Sequence, residues 1–192
     1  MKEIAIFFPG IGYGNDKPLL HYSQKLFKER NIEILKVEWN DFPPDSKKNK
    51  DFLEEAVKLS LSQTEEKFKS FDFSGYSKVY LIGKSIGTVS CTFMNEKFFK
   101  ISDIETKLIL FTPVEMTFDY LDADDDALIF HGTKDPWLSE EIFDQNIFET
   151  KAESVIIENA NHSLETEDTL QDIQTVFYVI ETLKDSLFTD IE

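Results

Sequence analysis

Apolar residues along the chain fall into two alternating kinds of pattern. Short, nearly unbroken runs occur at Ile4–Phe8, Lys78–Ile82, Lys107–Phe111 and Ala127–His131. Between them lie longer stretches in which apolar residues recur every three or four positions. Continuous runs suit strands covered on both faces, and the longer period suits helices. Two further runs, Glu33–Val37 and Ser154–Glu158, carry charge at their ends and are expected at the sheet edges. The rhythm predicts about six mostly parallel strands in an α/β/α sandwich, formed by residues 1–192 as one domain.

Helix signals fill the gaps. Asp16 is a candidate cap with Pro18 in the first turn, for a helix running to about Arg30. A second helix is expected over about Lys50–Phe71, burying Phe52, Leu53, Ala56, Val57 and Leu61. A third places Ile86, Val89, Ser90, Phe93 and Met94 inward. Ser139, followed by Glu140 and Glu141, opens a fourth reaching about Thr150. Leu170, Ile173, Val176, Phe177, Ile180, Leu183 and Leu187 predict a last helix that closes the sheet beside its final strand. Only Asp41–Lys50 and Thr112–Asp126 read as irregular connections. Asp122, Asp124, Asp125 and Asp126 lack the Gly and terminal Glu of a calcium loop and read as a solvated turn.

Composition narrows the partners. The 192 residues are 41% hydrophobic and include 18 phenylalanines, enough for a sizeable core. Twenty basic against 37 acidic residues leave a formal charge of −17, which repels nucleic acid and anionic lipid surfaces. One cysteine, Cys91, rules out an intrachain disulfide and suits the cytoplasm. No apolar stretch approaches the roughly 20 residues of a membrane span, and the oligomeric state is left open.

Against this background one short motif stands out. Gly83-Lys84-Ser85-Ile86-Gly87 follows the Val79–Ile82 run and precedes a helical pattern, so Ser85 lies on a sharp strand-to-helix turn. Asp135 follows the Ala127–His131 strand in His131-Gly132-Thr133-Lys134-Asp135-Pro136, and His162 follows the last strand after Asn159-Ala160-Asn161. A nucleophile, an acid and a base thus occur in that order, each beyond the end of a strand. Asp119 and Asp122 are the fallback acids. His21 and His131 read as structural or exposed, and Lys84 as pointing along the surface. The glycine-rich loop Phe8-Pro9-Gly10-Ile11-Gly12-Tyr13-Gly14 can offer a backbone donor at Ile11, with Gly12 next, to complement the N–H of Ile86. The same loop superficially suggests nucleotide binding, but it lacks the Gly-x-Gly-x-x-Gly spacing and the Lys-Ser/Thr of a P-loop.

Together these residues resemble the α/β-hydrolase family, specifically its small bacterial-type members. The resemblance implies a triad of Ser85, Asp135 and His162, an oxyanion hole at Ile11 and Ile86, and no metal or organic cofactor. It also implies that the family's antiparallel edge hairpin is missing. Pro9-Gly10 stands where many members carry His-Gly, and Thr112–Asp126 is too short for a helical lid. The expected activity is hydrolysis of a small-molecule carboxylic ester or thioester with a small to medium acyl group. Gly12, Tyr13, Phe118 and Trp137 are candidate substrate contacts. An acyltransferase, a peptidase or amidase with the same triad, and a non-catalytic interaction module on this fold are the alternatives.

Overall fold

The structure is a computed structural model and describes residues 2–42 and 50–188. Among these residues six strands form one sheet: β1 (Lys2–Phe8), β2 (Glu33–Lys36), β3 (Tyr76–Lys84), β4 (Glu105–Phe111), β5 (Ala127–Gly132) and β6 (Glu153–Ile157). Every pairing is parallel, in the order β2-β1-β3-β4-β5-β6. The two charged runs lie at the edges, where one side of each strand needs no partner. The four apolar runs fill the centre, and all six residues of β5 are buried.

Among the described residues, five α-helices cover the two faces: α1 (Pro18–Glu29), α2 (Lys50–Phe68), α3 (Ile86–Met94), α4 (Glu140–Ile147) and α5 (Thr169–Leu187). Alternation along each strand sorts the core into two layers. Ile4, Ile6, Val79, Leu81, Leu108 and Ile129 join Phe68, Cys91, Met94 and Phe143 from α2, α3 and α4. Ala5, Phe7, Tyr80, Ile82, Ile109 and Leu128 join Leu20 and Phe27 of α1 and Val179 and Leu183 of α5. The sandwich has three layers, α1 and α5 on one face and α2, α3 and α4 on the other.

Several local expectations need correction. Lys17, not Asp16, is the N-cap of α1, with no side-chain hydrogen bond to the helix. Helix α2 ends at Phe68, and its buried stripe is Leu53, Ala56, Val57, Ser60, Thr64 and Phe68, while Phe52 is exposed. Most of the expected Asp41–Lys50 connection lies outside the described residues. Helix α3 is buried on nearly all sides and runs into a π-helical turn at Asn95–Phe99, for which the sequence carries no clear sign. Helix α4 stops at Ile147, capped by the Ser139 hydroxyl, which accepts from the Ile142 N–H. The Asp-rich turn is tied down, with Asp126 paired to Lys107, Asp124 to Lys151 and Asp122 to Lys100, and Asp125 accepting from Asn95.

Helix α5 departs furthest from expectation. It packs beside α1 over the middle of the sheet, and Phe188 just beyond it lies 5.6 Å from the Phe27 ring and 6.4 Å from Tyr80 of β3. Thr175, Val179 and Leu183 are its buried residues. Leu170, Ile173 and Phe177 remain 72%, 62% and 66% exposed. The apolar stripe is wider than the surface it covers, and its outer half faces a groove of about 530 Å³ against Tyr13, Pro18 and Tyr22.

Candidate active site

The site lies beyond the carboxyl ends of β3, β5 and β6, where parallel α/β sheets place ligands. Ser85 is the hinge between β3 and α3. Its φ of 56° and ψ of −124° put a non-glycine residue in a sparsely populated region. The turn closes this tightly because Gly87 has no side chain: a Cβ there would lie 2.1 Å from the Phe8 carbonyl oxygen. The turn is held by the Ser85 N–H, which donates to Phe111 O at 3.1 Å, and by the Thr88 hydroxyl, which donates to Ser85 O at 2.5 Å.

Asp135 and His162 sit on two loops laced together. The Lys134 N–H donates to Ala160 O at 2.9 Å, and the Asn159 N–H to the Thr133 hydroxyl at 2.8 Å. Asn159 takes a positive φ of 61°, which asparagine tolerates, and this turns the chain toward the cleft. Asp135 is buried; its Oδ1 accepts from the Trp137 N–H at 2.9 Å, which leaves Oδ2 free to face His162 Nδ1 at 2.7 Å. His162 Nε2 lies 2.8 Å from Ser85 Oγ. The three side chains therefore form one continuous hydrogen-bonded line. Burial, then the neighbouring Lys84 cation, push the His162 pKa below its ordinary value, while Asp135 pulls it up.

Two backbone donors are available nearby. Gly10 to Tyr13 form a tight turn with reciprocal backbone bonds, and Gly12 supplies the positive φ of 72° it requires. Neither the Ile11 N–H in this turn nor the Ile86 N–H in the first turn of α3 has an acceptor among the described residues. The cleft over Ser85 has a volume of about 410 Å³ and is lined by Ile11, Leu53, Pro136, Trp137, Asn161 and His162. Leu53 and Trp137 also line a smaller adjoining hollow with Met116 and Asp119.

The candidate substrate contacts do not all gather here. Trp137 does, with its ring 6.3 Å from that of His162. Gly12 borders a neighbouring groove toward Trp39. Tyr13 turns away toward α1, where its hydroxyl accepts from the Leu19 N–H at 3.1 Å. Phe118 packs against Phe143 in the core, because the 3-10 turn Glu115–Asp119 points it down toward the sheet. Leu53, from the first turn of α2, has no mark in the sequence that distinguishes it from a core leucine. Of the fallback acids, Asp119 lies at the end of the 3-10 turn, and Asp122 is paired with Lys100.

Lys84 is not on the surface as expected, whereas His131 is structural. Lys84 is 1% exposed. Period two along β3 puts it on the same face as Tyr80 and Ile82, beneath α1 and α5, a signal present in the sequence. Its ammonium donates to the Thr112 hydroxyl at 2.5 Å and to the His162 backbone carbonyl at 2.6 Å, and lies 4.9 Å from the centre of the Tyr13 ring. Burial drives its pKa down to about 7. His131 is fully buried and stacks on Phe143 at 4.4 Å, with neither ring nitrogen bonded among the described residues.

No family model and no curated protein matches the sequence. Solved structures do match the fold. A putative hydrolase of the α/β superfamily from Xanthomonas campestris pv. campestris superposes with a TM-score of 0.57 at 13% identity, covering 96% of this chain and 99% of its own. The chain has the α/β-hydrolase fold. A serine hydrolase without a lid from Xanthomonas campestris gives a TM-score of 0.58 at 11% identity, over 96% of this chain and 80% of that one. Est1E from Butyrivibrio proteoclasticus, solved with ferulic acid bound, gives 0.60 at 16% identity, over 94% and 89%. In this chain the connection between β4 and β5 is short and holds one 3-10 turn. No helix among the described residues is long and apolar enough to cross a membrane.

Proposed function

We propose that the protein is a serine hydrolase that cleaves carboxylic esters or thioesters of small to medium acyl groups. The observation that carries this reading is the line from Ser85 Oγ through His162 to Asp135 at 2.8 and 2.7 Å, built on a strained strand-to-helix turn. Ser85 Oγ attacks the acyl carbon as its proton passes to His162 Nε2. Asp135 accepts the Nδ1–H, which fixes the tautomer and offsets the charge that the ring gains. The carbonyl oxygen, now an oxyanion, takes hydrogen bonds from the Ile86 and Ile11 N–H groups. Collapse expels the alcohol or thiol, protonated by His162. Water, activated by the same ring, then releases the acid from Ser85.

A cleft of about 410 Å³ suits a compact acyl group. Its open setting gives water ready access to the acyl-enzyme, which favours hydrolysis over transfer. The test is fluorophosphonate labelling of wild type and Ser85→Ala, with turnover of p-nitrophenyl esters of increasing chain length. Labelling of wild type only, with turnover falling as the chain lengthens, is expected. Equal labelling of both proteins would sink the assignment of Ser85.

A further inference from the structure

Within that reading, Lys84 occupies a place for which the three-residue mechanism gives no use. A lysine cation is costly to bury and is ordinarily left in water. Here it sits one residue before the nucleophile, with its side chain on the opposite face of the sheet from α3. Its ammonium meets three elements at once: Thr112 at the end of β4, the carbonyl of His162 beyond β6, and the Tyr13 ring beyond β1. Thr112 adds a second bond to the same carbonyl, its hydroxyl donating to His162 O at 2.9 Å. The histidine loop is thereby tied by two donors to the strands beside the nucleophile.

We propose that Lys84 is a positioning residue for His162, its ammonium anchoring the histidine's backbone carbonyl at the end of β4 while its charge faces the imidazole from behind. Anchoring limits how far the ring can drift from Ser85. The charge has a separate effect, because a cation on Lys84 disfavours a second cation on His162. The ring then stays a neutral base into mildly acidic solution. Other groups share this field. Asp135 and Glu165 stabilise the Lys84 cation against burial, Asp135 favours the protonated His162, and His131 disfavours it.

The test separates charge from shape. The acid limb of kcat/KM is followed with p-nitrophenyl acetate for wild type, Lys84→Met and Lys84→Arg. In Lys84→Met the limb is expected to move up by about one pH unit, the effect of removing one nearby like charge. In Lys84→Arg, which keeps a cation, it stays near its wild-type place. Thr112→Val, which loses both bonds of the hydroxyl, lowers kcat about tenfold with KM unchanged. Thr112→Ser restores it. An acid limb that coincides in wild type and Lys84→Met overturns the proposal.

Absence of turnover in wild type would count against the hydrolase reading, and the proposal is then decided without substrate. NMR titration of the His162 ring is expected to show a higher midpoint in Lys84→Met than in wild type, and equal midpoints overturn it. If the charge-free variant does not fold, the wild-type ring resonances must still respond as Lys84 loses its proton. A His162 ring blind to that titration overturns the proposal too.

Discussion

Helices α3 and α5 follow the two strands that lead to Ser85 and His162, yet they are built in opposite ways. Helix α3 starts directly after Ser85, and eight of its nine residues are buried. Helix α5 starts seven residues after His162 and leaves half of its apolar stripe in solvent. The difference tracks what each end must do. The backbone at Ser85 is strained and needs packing on all sides to hold it, whereas His162 is placed by its own loop and by what grips that loop from below. The rigid element therefore stands behind Ser85, and the helix after His162 is free to expose surface.

The largest effect expected is at the point where α3 begins. Ser85→Ala removes the proposed nucleophile and should lower kcat by about 10⁴-fold or more, read as ester turnover. Ser85→Gly should be equally inactive but more stable than Ser85→Ala by about 1 kcal/mol, because glycine relieves the positive φ that alanine retains. Equal urea midpoints for the two variants would show that the turn carries no strain.

Next comes the contact that lets α3 approach the sheet. Gly87→Ala puts a methyl within 2.1 Å of the Phe8 carbonyl oxygen, and backbone on that side cannot swing away as a flexible side chain could. A loss of about 3 kcal/mol is expected, or roughly 10 °C in melting temperature for a chain of this size. A Gly87→Ala protein that melts within two or three degrees of wild type (about 1 kcal/mol or less) would mean that α3 can move off the sheet.

The contrast between the helices also explains what was legible in the sequence. Central strands announce themselves because burial on both faces leaves no room for polar residues, as in Val79–Ile82 and Leu108–Phe111. Ser85, Asp135 and His162 could be singled out because glycines, proline and asparagines mark the turns on which they sit. Lys84 could not be placed by residue type alone, since a lysine reads as surface unless strand alternation is followed through it. Phe118 was ambiguous for the opposite reason: an aromatic beside a site reads as a contact, although a single 3-10 turn aims it into the core. In α5 the period was clear but not the extent of cover, because apolar spacing records which residues could be buried and not how much surface lies opposite.

Lys84 offers a smaller, pH-dependent effect. Its folded pKa of about 7 lies below the 10.5 of an ordinary lysine. Between these values the unfolded chain holds a proton that the folded protein has released, so stability from this group rises with pH across that window and is least below 7. Melting temperature should therefore climb from pH 7 to 9.5 in wild type and climb less in Lys84→Met. The difference between the two curves is the readout, because the buried Cys91 thiol, held well above its ordinary 9.0, works in the opposite sense from about pH 9 in both proteins, and Tyr13, raised to about 12, does so above pH 10. Parallel curves for the two proteins would show that burial does not lower the Lys84 pKa in the folded protein.

The smallest effect is expected on the outer face of α5, and a null result there is informative. Phe177 is 66% exposed and Ile173 62%, so truncating either removes little area that folding has covered. Phe177→Ser should change stability by no more than about 0.5 kcal/mol, the range for surface positions away from special features. Val179→Ala, two residues on and fully buried, should cost about 2 kcal/mol in the same urea titration. Two neighbouring positions on one helix thus predict a fourfold difference in sensitivity. A large loss at Phe177 would mean that the groove beside Tyr22 is closed in solution and that α5 is packed as fully as α3.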